Sequence, residues 1–177
     1  MTTVQNATAL PTGTWQADTV HSSIGFAIRY TGTVNFKGEF GDFAATLDEG
    51  RLEGVAQVRS IEVDDENLGA HLLTADFFDA DRFAELRFSS ETVERTGDRV
   101  QIQGELTIKG TTKPVVIDGA VHGPATDAFG VERVGFELTT TVNRHDFGVS
   151  WNMPLPNGDP ALADDVTINA DLTLVRA

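Results

Sequence analysis

From Trp15 to the C-terminus the chain alternates apolar and polar residues with a period of two. In "SIGFAIRY", Ile24, Phe26, Ile28 and Tyr30 share one face, while Ser23, Gly25, Ala27 and Arg29 share the other. The pattern returns through Val100, Ile102, Leu106 and Ile108, then through Val134, Phe136, Leu138 and Val142, and again through Val166, Ile168, Leu172 and Leu174. Further strands are expected over residues 34–47, 52–63, 85–94 and 115–122. Turn signals stand between strands: "LDEG" at 47–50, "TGD" at 96–98 and "KGTTKP" at 109–114. Each strand has one apolar and one polar face, as in antiparallel sheets with one wet side. Parallel βαβ units would need a helical pattern between successive strands, and only one such pattern exists. The expected class is therefore all-β, with roughly eight antiparallel strands. A sandwich and a closed up-and-down barrel both fit. Long strands in sequential order favour the barrel, because closure removes exposed edges.

One stretch breaks the alternation. In "HLLTADFFDADRF", residues 71–83, apolar residues arrive in pairs among acidic ones. Asp64 or Asp65 can cap a helix start, and Asp65 and Glu66 suit its first turn by the dipole argument. Leu68 and Leu72 lie four apart on one helical face, with Leu73 alongside. Thr74 and Asp79 are each placed to cap a further short turn leading to Phe77, Phe78 and Phe83. Such a helical insert between two barrel strands would lay its apolar side over one end of the barrel, as a lid or plug.

Composition removes several function classes. Lys plus Arg number 13 against 27 Asp plus Glu, a formal charge of −14. That balance opposes nucleic-acid backbones and anionic membrane surfaces. The chain has no cysteine, so thiol nucleophiles, disulfides and Cys-ligated metals are excluded. No apolar run approaches the roughly 18 residues of a membrane span. Residues 1–13 lack periodicity and read as a disordered tail, with the folded domain expected over 14–177. The first residues carry neither the basic start nor the apolar run of a secretory signal, so a cytoplasmic location is the expectation.

The four histidines, His21, His71, His122 and His145, show no spacing of the HExxH kind, and no metal is expected. "NRHDFG" (143–148) clusters Arg144, His145 and Asp146. It reads as a polar turn at a strand end, with an acid–base pair as the catalytic alternative. There is no GxSxG elbow and no GxGxxG; "KGTTK" lacks P-loop spacing and reads as a hairpin turn, so no cofactor is expected. The 11 phenylalanines fall mostly on inward strand faces or on the insert. They fit either a packed core or the wall of a ligand cavity, since an eight-stranded barrel is just wide enough for either. Gly104 and Gly119 sit at inward positions, where they leave room inside or permit a sharp bend.

Four segments carry a resemblance to a known family. They are "WQADTVHSSIGFAIRYTGTVNFKGEF" (15–40), "VRSIEVDD" through "AHLLTADFFDADRFAELRFSS" (58–90), "GELTIKGTTKPVVI" (104–117) and "NRHDFGVSW" (143–151). In this order they resemble the YceI-like family of lipocalin-like, polyisoprenoid-binding bacterial proteins. The sequence departs from the family pattern at Leu68 and Gly69, where Arg-Asp is common, and at Ala84, where Pro is usual. The resemblance implies an elongated lipocalin-like barrel of about eight strands, with the helical insert beside a long apolar cavity. It also implies a homodimer and a ligand that is a polyisoprenoid, a quinone or a fatty-chain lipid, bound, sequestered or carried without catalysis. The expected ligand-binding residues are Phe26 and Ile28 on one strand, Phe36 and Phe40 on the next, and Phe88. Leu106 with Ile108, Phe136 with Leu138, and Leu72, Phe77 and Phe78 of the insert complete the set. The alternatives are a barrel hydrolase or isomerase using the 144–146 region at the mouth, and a solid-cored stress or interaction protein with no ligand.

Overall fold

The computed structural model describes residues 9–177. The strands form an antiparallel meander that closes on itself as an eight-stranded barrel. Three of the eight are broken into shorter segments. β1 (Thr14–Ala17) and β2 (Ser23–Tyr30) both run along β11 (Leu162–Arg176), with Trp15 opposite Arg176 and Phe26 opposite Ile168. β3 (Val34–Phe40) and β4 (Phe43–Asp48) pair back onto β2 and β1 in turn. β5 (Arg51–Gln57) and the short β6 (Ile61–Glu62), parted by a 3₁₀ turn at Val58–Ser60, pair onto β4 and β3. β7 (Glu85–Thr96), β8 (Arg99–Ile108), β9 (Thr111–Thr126) and β10 (Glu132–Asn143) follow as neighbours, and β11 joins β10 to β1. The ring closes through the β1–β11 pairing, the solution the long alternating strands called for, while at the insert end β6 pairs with β3 alone among the described residues.

Local chemistry explains the tight connections. The β4–β5 and β8–β9 hairpins turn on Glu49-Gly50 and Lys109-Gly110, with φ of 46° and 84°, and of 50° and 74°. Two successive positive-φ residues make the turn whose twist matches that of the flanking strands. "KGTTK" is thus a hairpin turn. Gly104 and Gly119 serve close approach rather than interior room. A Cβ on Gly119 would lie 1.9 Å from the Glu137 carbonyl oxygen. A Cβ on Gly104 would lie 2.3 Å from that of Ser89 and 2.7 Å from the Phe88 ring.

Two apolar clusters occupy opposite ends of the barrel. At one end Trp15, Leu47, Val100, Ile102, Val121, Val134, Phe136 and Leu174 are buried against one another. At the other, Leu72, Phe77, Ile108, Phe147 and Val149 form a second cluster. β8 alone shows the change of level: its inward residues run from Val100 in the first cluster to Ile108 in the second. Most of the expected tail, residues 1–8, lies outside the described residues. Contacts with the barrel begin ahead of residue 14, since Leu10 packs against the Trp15 cluster, which fills the closed end of the barrel away from the insert. Trp15 Nε1 and Arg176 Nη1 donate to the Thr12 carbonyl at 3.1 and 3.2 Å.

The insert between β6 and β7 contains α1 (Glu66–Leu72), whose N-cap is Asp65: its carboxylate accepts from the Leu68 N–H at 3.0 Å. The expected caps at Thr74 and Asp79 work differently. Thr74 donates its hydroxyl back to the His71 carbonyl at 2.6 Å. The turns that follow are closed by main-chain carbonyls, of Thr74 for Phe77 and Asp79, and of Asp79 for Arg82 and Phe83. Asp79 takes a positive φ of 52°, a conformation Asp tolerates better than most residues.

Candidate functional site

Between the two clusters lies a cavity of about 530 Å³. Its wall comes from almost every strand of the barrel: Phe26 and Ile28 of β2, Phe36 and Phe40 of β3, Leu106 and Ile108 of β8, Leu138 and Val142 of β10, and Val166 through Leu172 of β11. The interior is therefore hollow between its packed ends, and the solid-cored alternative does not describe it. Along β11 the lining runs from Leu162 to Leu172. At about 3.3 Å per residue and a barrel tilt near 40°, that is roughly 25 Å along the axis. The space is long and narrow.

Eleven of the expected residues border this cavity; all but Phe136 do so. Phe136 is inward, as its parity requires, but is 1% exposed within the closed-end core. Its cross-strand neighbours are Leu172 and Val121. Packed neighbours enclose its ring, so it does not border the cavity although Leu172 opposite it does.

The insert closes the opposite end. Phe78 meets the rings of Phe26 and Phe40 edge-on, at centroid distances of 6.3 and 5.9 Å. Phe77 packs beside His71 and Trp151, at 5.0 and 5.4 Å, and His71 meets Trp151 edge-on at 4.8 Å. His71, Trp151, Phe147, Val149 and Met153 line the cavity and were not among the expected residues. Lys109 links the closure to the barrel: its ammonium donates to the Ala75 carbonyl at 2.6 Å and to that of Gly148 at 3.3 Å. The Phe83 ring occupies the space over Gly110 where a Cβ would fall within 2.5 Å of it. Tyr30 and Met153, 43% and 49% exposed, stand at the rim.

The "NRHDFG" stretch is a 3₁₀ turn over Arg144–Phe147, held by the Asn143 side chain, which accepts from the His145 N–H, and ended by Gly148 at φ 74°. His145 does not pair with Asp146. Its Nδ1 contacts Ser150 Oγ at 2.9 Å and its Nε2 contacts Asp164 at 2.7 Å. This Ser–His–Asp contact lies on the solvent side: Ser150 is exposed, whereas Val149 and Trp151 on either side of it line the cavity. The other histidines go separately to Asp18, Asp76 and Glu137, and no group of three metal-ligating side chains converges among the described residues.

Arg144 is buried at 4% exposure and borders the cavity. Its Nε donates to the Ala163 carbonyl, and its Nη1 to those of Val149 and Trp151, all at 2.8 Å. Burial pushes its pKa down, opposed by the nearby Asp164 carboxylate; a guanidinium nevertheless stays protonated in proteins.

A closed antiparallel barrel around an elongated apolar cavity, covered at one end by a helical insert, is the lipocalin-like class of architecture. Residues 15–174 match the family described as the YceI-like domain, and the chain belongs to that family. A UPF0312 protein of Pseudomonas fluorescens is 34% identical over 141 residues, covering 72% of this chain and 71% of its own. The crystal structure of the Campylobacter jejuni YCEI protein shares 25% identity and superimposes with a TM-score of 0.71, over 81% of this chain and 86% of that one. A Saccharophagus degradans domain described as polyisoprenoid-binding has the same fold at 11% identity, with a TM-score of 0.73 over 92% and 98% of the two chains.

Proposed function

We propose that this protein binds a long-chain isoprenoid or related lipid in the barrel cavity, sequestering or carrying it without a chemical step. The observation that carries the reading is the cavity itself: about 530 Å³, elongated, and lined mainly by apolar side chains. That volume lies in the range of small-molecule sites. Its narrow length suits an extended hydrocarbon better than a compact ring system. Family membership and the fold shared with a polyisoprenoid-binding domain support the same class of ligand. The insert acts as the gate, since Phe77 and Phe78 are both wall and cover. A homodimer belongs to the same proposal, and light scattering returning a monomer mass at micromolar concentration would remove it.

The test is mass spectrometry of organic extracts from the purified protein. A stoichiometric apolar chain, absent from a variant carrying Leu106→Asp in the wall, supports carriage. Protein that purifies empty and takes up no prenol or fatty chain on incubation rejects it.

A further inference from the structure

Among the described residues, the cavity wall contains one cation, Arg144, that makes no ion pair within hydrogen-bonding reach. Of the charged residues bordering it, Glu53 and Arg87 pair at the surface with Arg51 and Glu85. The His71 ring contacts the Asp76 carboxylate at 2.9 Å. Arg144 makes no ion pair among the described residues. The nearby Asp164 gives its hydrogen-bonding contact to His145 instead. A guanidinium has five N–H donors. Three go to the carbonyls of Ala163, Val149 and Trp151. The remaining two are on Nη2, which is buried and has no partner among the described residues. A buried donor of this kind ordinarily finds an acceptor, and a buried cation an anion.

Resting on the lipid-binding reading, we propose that Arg144 receives an anionic oxygen of the bound lipid, so that the cargo is a long chain ending in a carboxylate or phosphate. The three carbonyl contacts hold the guanidinium plane in place beside the cavity, and the unpaired Nη2 lies just beneath its wall, so an anionic oxygen meets it once the side chains covering it shift. The bond is charge-assisted on both sides and forms in a low-dielectric wall. It lies at the lid end, beside Val149 and Trp151, so the hydrocarbon extends from there toward Leu52 and Leu172 at the closed end. Neutral prenols of equal length would fill the same space without bringing a charged acceptor to Nη2.

The experiment compares matched pairs on delipidated wild-type protein: palmitate against palmityl alcohol, and geranylgeranyl phosphate against geranylgeraniol. The expected result is about tenfold or tighter binding of the anionic member in at least one pair, as a hydrogen bond to a charged group confers. The responsive pair identifies the head group. In Arg144→Gln the preference should fall to near unity while alcohol binding is retained. Because Arg144 also braces its loop, that variant is read only where its circular dichroism matches wild type. Nitrogen-15 spectra of the wild-type arginine side chains give the same answer without mutation, through a shift of the Arg144 guanidinium on adding the acid and none on adding the alcohol. Equal affinities within both pairs, or a preference that survives in folded Arg144→Gln, overturns this inference and leaves lipid binding standing. Failure of all four ligands to bind overturns both.

Discussion

Replacing Phe78 by alanine separates the gate from the barrel. The Phe78 ring contacts Phe26 and Phe40 edge-on and borders the cavity on its other side. A fully buried Phe→Ala change costs about 3–5 kcal/mol. Phe78 is only half-buried and already faces a void, so roughly half that, about 2 kcal/mol, is expected. For a domain of this size such a loss lowers Tm by about 4–8 °C, leaving the protein folded at room temperature. The bound chain loses contact with one phenyl ring, about 1–1.5 kcal/mol by area, and the cover is thinned at the same point. Dissociation should therefore accelerate roughly five- to tenfold, with a smaller change in the association rate. Stopped-flow displacement can follow it through Trp151, which lines the cavity. The other tryptophan, Trp15, is buried at the closed end with the Arg176 guanidinium 4.5 Å from its ring. A folded Phe78→Ala protein that releases ligand at the wild-type rate would show that the insert is not the gate.

Lys109→Met removes the two hydrogen bonds that hold the cover to the barrel; amide exchange should rise severalfold over residues 74–80 and stay unchanged at Val100–Ile102, and uniform exchange would refute the latch. Gly119→Ala places a Cβ 1.9 Å from the Glu137 carbonyl oxygen and should cost at least about 2 kcal/mol, read as a lower urea midpoint at constant m; a wild-type midpoint would mean the β9–β10 approach is looser than described. Asp18 is held below the usual carboxylate range first by the Arg133 guanidinium and then by His21, and Asp127 by Arg133 and the Val131 and Phe129 N–H groups. A depressed folded pKa gives stability that is complete above the unfolded value near 4 and lost as pH falls below it. Asp18→Asn should thus be less stable than wild type at pH 7 and show a shallower loss between about pH 4 and 2; parallel acid profiles would refute the linkage.

The strands were legible because burial on one face imposes a period of two, and Val100, Ile102, Leu106 and Ile108 kept it over the whole of β8. The breaks in the first three long strands were not legible as such. Val34–Phe40 and Phe43–Asp48 read as one strand because the bend at Gly41-Asp42 leaves the alternation nearly intact. Parity tells which face a residue takes but not whether its side chain ends in the void or among packed neighbours, which is why Phe136 is expected at the ligand and lies in the packed core. Trp151, Val149 and His71 were missed for a different reason. Val149 and Trp151 follow β10 in a stretch with no fixed period, and their place in the wall comes from the insert packing against them; His71 lies in the last turn of α1, where its ring meets Phe77 and Trp151. A tryptophan in an irregular stretch that also carries Phe147, Val149 and Met153 was the available signal. Nothing in the letters "NRHDFG" distinguishes a buried arginine from an exposed one, since its burial depends on carbonyls at Val149, Trp151 and Ala163.

The account rests on the cavity holding an extended chain, and chain-length dependence tests this most directly. Delipidated protein is titrated with prenols of increasing length, following Trp151 emission. Each isoprene unit adds five carbons at about 0.8 kcal/mol apiece; after ordering costs of about 1–2 kcal/mol for its rotatable bonds, a net gain of roughly 2–3 kcal/mol remains. Affinity should rise about 30- to 150-fold per unit, then level off once the roughly 25 Å of lined barrel is filled. Affinity that is flat with length from the shortest prenol onward would contradict it.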